Sequence, residues 1–158
     1  MEEYDYDAAA DTIKIEDITT DEDNQDILRR LKENDSNFTK LRVTDICDDD
    51  KCFCPGGARE LGWAGYYIGQ NSKLKELGLH SNTFQSFSHN DIERFCSGVN
   101  RNRSIQKIVF RRMNLSGGEI FQSLCPFFED NNTVSDLSVF GCQFGAGCAR
   151  QIALALRG

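Results

Sequence analysis

The sequence lacks the long apolar runs that mark membrane-spanning proteins. No apolar stretch approaches the roughly 18 to 20 residues that a helix needs to cross a bilayer. No basic region followed by an apolar segment stands near the first residue, Met1, so no secretion signal is expected. We therefore expect a cytoplasmic protein, with the nucleus as an alternative location, and no membrane partner.

Catalytic motifs are also missing. Histidine occurs only as His80 and His89, and neither stands in a Ser-His-Asp or Cys-His pattern of the kind used for nucleophilic catalysis. The glycine pairs at 56–57 and 117–118 are not followed by the Gly-Lys-Ser/Thr of a phosphate-binding loop. The sequence therefore predicts that the protein is not an enzyme and binds no cofactor.

Negative charge is concentrated in the N-terminal part of the chain. The formal net charge is −7, and residues 1–26 contain 11 acidic residues against one basic residue, Lys14. The remainder of the chain is weakly basic. A balance this weak does not indicate a nucleic-acid partner, and none is expected.

The seven cysteines are expected to be free thiols, because disulfides are rare in proteins that are not secreted. Cys47, Cys52 and Cys54 surround the acidic run 48–50, and a metal bound by these groups is the weaker alternative. The segment has neither the Cys-x₂-Cys spacing nor a nearby histidine of a zinc site, so we expect no metal. Cys96 is expected to be a small buried hydrophobic residue.

An internal repeat runs along the chain. From Asn71, apolar residues stand at offsets of 3, 6, 8 and 13 residues. The same offsets recur from Asn102 and Asn131, more loosely from Asp35 and faintly from Asp7. Each copy contains a short alternating stretch that predicts a brief strand, and a helix-like segment separates consecutive strands. The residues predicted to be buried in these strands are Leu77, Leu79, Ile108, Phe110, Leu137 and Val139.

This pattern resembles the ribonuclease-inhibitor-like leucine-rich repeats. The resemblance is clearest in Leu74-Lys-Glu-Leu77-Gly-Leu79-His-Ser-Asn82-Thr-Phe84 and in the helix-like segment 145–156. It implies an α/β leucine-rich-repeat solenoid, a short right-handed horseshoe arc with parallel strands on the concave face and helices on the convex face. We therefore expect an acidic tail over residues 1–6 and a repeat domain over residues 7–158. The domain would hold four to five βα repeats, starting near residues 7, 35, 71, 102 and 131.

Members of this family mostly bind other proteins. The resemblance therefore implies a protein-interaction module that binds a protein partner through its concave face. The alternatives are a GTPase-activating or other regulatory module, and the truncated sensor or substrate-receptor part of a larger protein. Trp63 and Tyr66, on the predicted second helix, offer a convex contact surface as an alternative to the concave one.

The outward side chains of the predicted strands form three lateral rows. The first row consists of Thr12, Lys40, Glu76, Lys107 and Asp136. From Lys40 onward it alternates in charge, so it is expected to satisfy itself. The second row consists of Lys14, Arg42, Gly78, Val109 and Ser138, and the third of Glu16, Thr44, His80, Arg111 and Phe140.

Arginine and aromatic residues dominate the energetics of protein interfaces. The candidate partner-binding residues are therefore Arg42 of the second row and His80, Arg111 and Phe140 of the third. The last predicted strand, residues 137–140, would leave an unpaired edge. We expect that the natural protein continues beyond residue 158 or that this C-terminal edge mediates self-association.

Overall fold

The structure, a computed structural model, describes residues 3–115, 122–124, 133–146, 149–150 and 153. Short strands and helices follow one another along these residues. Their bounds, in chain order, are α1 Tyr6–Ala9, α2 Ile15–Ile18, α3 Glu22–Lys32, β1 Lys40–Val43, β2 Cys52–Phe53, α4 Ala58–Gln70, β3 Glu76–His80, α5 Ser81–Phe84, α6 His89–Val99, β4 Lys107–Arg111, β5 Asn114–Leu115, β6 Asp136–Phe140 and β7 Gln143–Phe144.

The main sheet is parallel, and its register is the one that the repeat predicts. Its strand order is β2-β1-β3-β4-β6. Leu41, Leu77, Ile108 and Leu137 lie side by side on neighbouring strands. The two-stranded sheet of β5 and β7 is also parallel. An α/β fold with a five-stranded parallel sheet and helices is therefore confirmed.

Two buried asparagines fix the turns that lead from a helix into the next strand. The Asn71 side-chain oxygen accepts a hydrogen bond from the Leu74 amide at 2.7 Å, and its nitrogen donates to the Leu31 carbonyl at 3.0 Å. Asn102 repeats the arrangement, accepting from the Ile105 amide at 2.8 Å and donating to the carbonyls of Ile68 and Asn71. Each side chain satisfies backbone groups of its own copy and of residues 31 to 40 positions earlier, which stacks the copies in a fixed register.

Four of the six predicted core residues are fully buried. Leu77, Leu79, Ile108 and Phe110 are at most 1% exposed, as predicted. Leu137 and Val139 are only half-buried against the same core. Their strand, β6, has one neighbour within the part of the sheet that the structure describes, so less apolar surface covers them.

The strand predicted for the first copy is wrong. Residues 6–18 contain the short helices α1 and α2, joined by a turn, so Thr12, Lys14 and Glu16 do not extend the three rows of the sheet. The buried residues here, Ile15 and Ile18, are spaced three apart, which suits one face of a helix rather than a strand. The boundary between a tail over 1–6 and a domain over 7–158 stays a prediction.

Aromatic rings from the N-terminus pack on α4. The ring centroid of Tyr6 lies 4.8 Å from that of Trp63, and Tyr6 stacks on Tyr66 at 5.6 Å. Tyr66 donates a hydrogen bond to Asp7 at 3.0 Å. Trp63 is 1% exposed, so it belongs to the core. The convex alternative, which needs this side chain at the surface, is therefore wrong for Trp63.

The C-terminal predictions fall partly outside the described residues. The helix-like segment 145–156 is described only at residues 145–146, 149–150 and 153, and residues 154–158 lie outside the description. Self-association through the C-terminal edge stays a prediction. In the part of the chain that is described, no helix is long and apolar enough to span a bilayer.

Candidate partner-binding surface

Three of the four candidate residues lie side by side at the ends of their strands. His80 is the last residue of β3, Arg111 of β4 and Phe140 of β6. The register pairs His80 with Arg111 and Arg111 with Phe140. We call these three residues the strand-end row. The fourth candidate, Arg42, pairs with Gly78, two residues before His80, so it borders the row without belonging to it.

The strand-end row presents a cation and an aromatic ring together. The guanidinium carbon of Arg111 lies 5.5 Å from the ring centroid of Phe140, within the range of a cation–π contact. Phe140 is 53% exposed. Arg112, which follows, is exposed too, and its amide donates to the Phe140 carbonyl at 2.7 Å. The surface therefore offers apolar area and two adjacent positive charges at one place.

Charge at the row is unbalanced towards positive. Partial burial lowers the pKa of His80, and the charges of Arg111, Arg42 and Arg112 lower it further, while Asp45 acts in the opposite direction. Among the described residues, no salt bridge involves Arg111 or Arg112. At the opposite end of the sheet, where β1 and β3 begin, the Lys40 Nζ lies 3.8 Å from a carboxylate oxygen of Glu76. The alternating charges of the first outward row predict this pair.

Arg42 is already neutralised by the segment between β1 and α4. Its guanidinium contacts the carboxylates of Asp48, at 2.9 Å, and Asp49. Strand β2 pairs with β1 here, and the Arg42 amide donates to the Lys51 carbonyl at 2.8 Å. Arg42 therefore joins this segment to the sheet edge. Its guanidinium is less available to a partner than that of Arg111.

The same segment corrects the prediction that every cysteine is a free thiol. Cys47 and Cys54 form a disulfide. Cys52 and Cys96 are free and buried, and burial raises the pKa of both thiols. The expected cytoplasmic location suggested free thiols. However, the turn that holds Asp48 and Asp49 against Arg42 also brings Cys47 and Cys54 together.

The alternative of a metal held by all three thiolates is therefore wrong for Cys47 and Cys54, because a disulfide has no thiolate to offer. The remaining potential ligands, Asp48, Asp49 and Cys52, do lie close together. However, the Cys52 sulfur lies 3.4 Å from an oxygen of each carboxylate, and Arg42 neutralises both carboxylates. The charge of these carboxylates is thus already balanced by Arg42.

Proteolysis under non-reducing conditions should reveal the disulfide. Trypsin cuts after Arg42, Lys51 and Arg59, which places Cys47 on one peptide and Cys54, with Cys52, on the next. When the unreduced protein is alkylated in denaturant and then digested, we expect these two peptides to remain linked, with the alkyl group on Cys52. Two separate peptides, each alkylated at every cysteine, would contradict the disulfide.

The charges around His80 should be visible in its titration. Replacing Arg111 by glutamine removes a positive charge that disfavours imidazolium, so the His80 pKa should rise towards its ordinary value near 6.5. Lys73→Gln removes the same charge at an exposed position that does not act on His80 and should leave the midpoint unchanged. NMR titration of the His80 ring resonances, assigned with a His89→Gln variant, measures this. Equal midpoints in all three proteins would contradict the described surroundings of His80.

Sequence reasoning missed two residues at this surface. Ile46 is 70% exposed and follows the end of β1, where its amide donates to the Thr44 hydroxyl at 3.2 Å. Arg112 adds the second charge beside Arg111. The two consecutive arginines, Arg111 and Arg112, are visible in the sequence and could have indicated the second charge. The exposure of Ile46 could not have been predicted, since an isoleucine next to a strand is expected in the core.

The described residues thus define an α/β fold with a five-stranded parallel sheet whose strand ends form a basic and aromatic surface. No protein-family model matches the chain, and no curated protein is similar to it. Among solved structures, the leiomodin-1 actin-binding site 2 is similar, with a TM-score of 0.55 and 18% identity, over 84% of this chain and 72% of that one. The tropomodulin C-terminal domain of Caenorhabditis elegans gives a TM-score of 0.45 and 10% identity, over 85% of this chain and 92% of that one. The leiomodin-1 likeness shows a shared fold.

Proposed function

We propose that this chain is a short leucine-rich-repeat solenoid of the ribonuclease-inhibitor-like kind. In this proposal the parallel strands form the concave face of a right-handed horseshoe arc, and α4 and α6 belong to the convex face. The continuous register from β1 to β6 and the two asparagine-bonded turns support it. Both are what a stack of βα repeats requires, because each copy buries its apolar side only against its neighbours.

Within this fold, the chain acts as a protein-interaction module rather than an enzyme, in the cytoplasm. The observation that carries the proposal is the exposed pair of Arg111 and Phe140 at the strand ends. Arginine and aromatic side chains are the types most often found as energetic centres of interfaces. Their clustering on the rigid strands of a sheet also lowers the entropic cost of binding.

Actin is the first partner to test, because the domain of leiomodin-1 that shares this fold is named as an actin-binding site. The purified chain should be mixed with monomeric actin and, separately, sedimented with actin filaments. Binding that is lost in an Arg111→Ala/Phe140→Ala variant would support both the partner and the surface. If neither form of actin binds, this partner is excluded.

A comparative pull-down tests the function without assuming actin. We expect proteins that the wild-type chain and a Lys73→Ala variant retain equally, and that the Arg111→Ala/Phe140→Ala variant loses. Lys73 is exposed and lies before β3, away from the strand ends. If the set of retained proteins is the same for all three baits, the strand-end row is not the binding surface. Acceleration of nucleotide hydrolysis by the purified chain would instead favour a GTPase-activating module.

A further inference from the structure

One exposed apolar side chain ends the strand-end row, and a second follows β1, the strand on the other side of the row. Among the described residues, the large hydrophobic side chains that are exposed are Tyr4, Ile46 and Phe140. Ile46 follows β1, and Phe140 ends β6. Strands β3 and β4 lie between these two positions, and they contribute His80 and Arg111. The surface therefore has an apolar group at each end and basic groups in the middle.

The two arginines in the middle, Arg111 and Arg112, make no salt bridge within the described part of the chain. Arg42 nearby, in contrast, is held by Asp48 and Asp49. Among the residues that the structure describes, two carboxylates thus neutralise one arginine of this surface, and none contacts the next two. An uncompensated cation pair flanked by apolar side chains is complementary to carboxylates flanked by apolar side chains.

The spacing of the strands limits the form of such a ligand. Neighbouring strands lie about 4.8 Å apart, so β1 and β6, three steps apart in the sheet, are separated by about 14 Å. An extended peptide advances about 3.3 Å per residue, and thus crosses this distance in about four to five residues. A segment with an apolar residue at each end and acidic residues between them matches the order of groups on the surface.

We propose that the strand-end row, with Arg112 and Ile46, binds an extended acidic segment of a protein partner, whose carboxylates contact Arg111 and Arg112 and whose two apolar side chains contact Ile46 and Phe140. This rests on the proposed function and specifies the chemistry of the partner. The exposed Ile46 favours a peptide over a nucleic acid, since bases stack on aromatic rings such as Phe140 but have no comparable contact with an aliphatic side chain.

The probe is a synthetic peptide with the core Leu-Asp-Glu-Asp-Phe in a glycine-serine frame. It is added to the isotope-labelled full chain at low salt, and amide shifts are followed by NMR. We expect saturable shifts of His80, Arg111 and Phe140 that weaken as salt is raised. The matched peptide with the core Leu-Asn-Gln-Asn-Phe should bind at least about tenfold more weakly, because it lacks the charges that pair with the arginines.

Two variants with the same change in charge provide the control. Arg111→Glu/Arg112→Glu should abolish the shifts, whereas Lys73→Glu/Lys75→Glu, at exposed positions before β3, should reduce the affinity by less than about threefold through net charge alone. Arg111→Gln/Arg112→Gln, which removes both charges but keeps polar side chains, should also lose binding. The dispersion of each spectrum shows whether each variant is folded.

Three outcomes would overturn the inference. The first is no shift with the acidic peptide at millimolar concentration, and the second is equal binding of the acidic and amide peptides. The third is equal shifts of the same residues with a single-stranded oligonucleotide of matched charge, which would indicate a general polyanion surface. The proposed function is tested by a different experiment, the pull-down, in which the Arg111→Ala/Phe140→Ala variant should lose protein partners.

Discussion

Replacing Leu77 by alanine should lower the free energy of unfolding by about 2–5 kcal/mol. Leu77 is 0% exposed and lies between Leu41 and Ile108 on the neighbouring strands. The substitution removes buried methyl groups at the centre of the sheet and leaves a cavity that strands on both sides cannot close. Because small domains are stable by only about 5–15 kcal/mol, this loss should be evident in equilibrium denaturation.

Leu137 provides the matched control, because it occupies the same position in its repeat copy. It is half-buried and has one strand neighbour in the described sheet, Ile108. Leu137→Ala should therefore cost clearly less, below about 2 kcal/mol. Urea unfolding can be followed through the fluorescence of the buried Trp63, the only tryptophan of the chain. Equal losses in the two variants would mean that burial does not decline towards β6 as described.

The sheet could be predicted from the sequence because the repeat is periodic and its strands are local. The offsets from Asn71 and Asn102 correctly predict the strand register from Lys40 to Asp136, but Thr44, Gly78 and Val109, which they place in outward rows, are buried. In the sequence, those asparagines only mark where each copy begins. In the structure, their side chains also accept hydrogen bonds from the amides of the turns. Their buried hydrogen bonds explain why the copies after them align best.

The N-terminal helices and the disulfide could not be predicted in the same way. In the first copy, two isoleucines at alternate positions, Ile13 and Ile15, suit a strand as well as a helix. Side-chain capping favours the helix at α1, where Asp5 accepts from the Ala8 amide at 3.0 Å, whereas α2, which begins at Ile15, has no side-chain cap. The Cys47–Cys54 bond depends on a local turn that has no counterpart in the described parts of the other copies, so periodicity carried no information about it.

The candidate site could be predicted only in part, because the sequence does not show which arginines are neutralised by carboxylates. Strand alternation correctly placed His80, Arg111 and Phe140 together. It could not show that Arg42 is neutralised, because Asp48 and Asp49 lie outside the repeat and reach Arg42 only through the fold of the insertion. Pairing between an insertion and a strand depends on tertiary structure, and it changes which arginines a partner can use.

The second large effect is expected on the helix side of the sheet, where glycines allow α4 and α6 to approach closely. A Cβ on Gly65 would lie 2.6 Å from the carbonyl oxygen of Phe95. A Cβ on Gly98 would overlap the carbonyl of Gly65 and lie 2.8 Å from the Tyr66 amide nitrogen. All these neighbouring atoms belong to the backbone, so no side chain can rotate away to make room.

Gly98→Ala should therefore destabilise the protein although alanine is the better helix former. Overpacking costs about 1–3 kcal/mol, and more where backbone must move, while the gain in helix propensity is about 1 kcal/mol. We expect a net loss of about 1–2 kcal/mol in urea unfolding followed by circular dichroism. Ser97→Ala is the control, since Ser97 is the preceding, exposed residue of α6, and its substitution should leave stability unchanged or slightly raised. If Gly98→Ala is as stable as Ser97→Ala, the helices must be able to separate without cost, and the close contact of Gly65 with Gly98 would not contribute to the packing of the repeats.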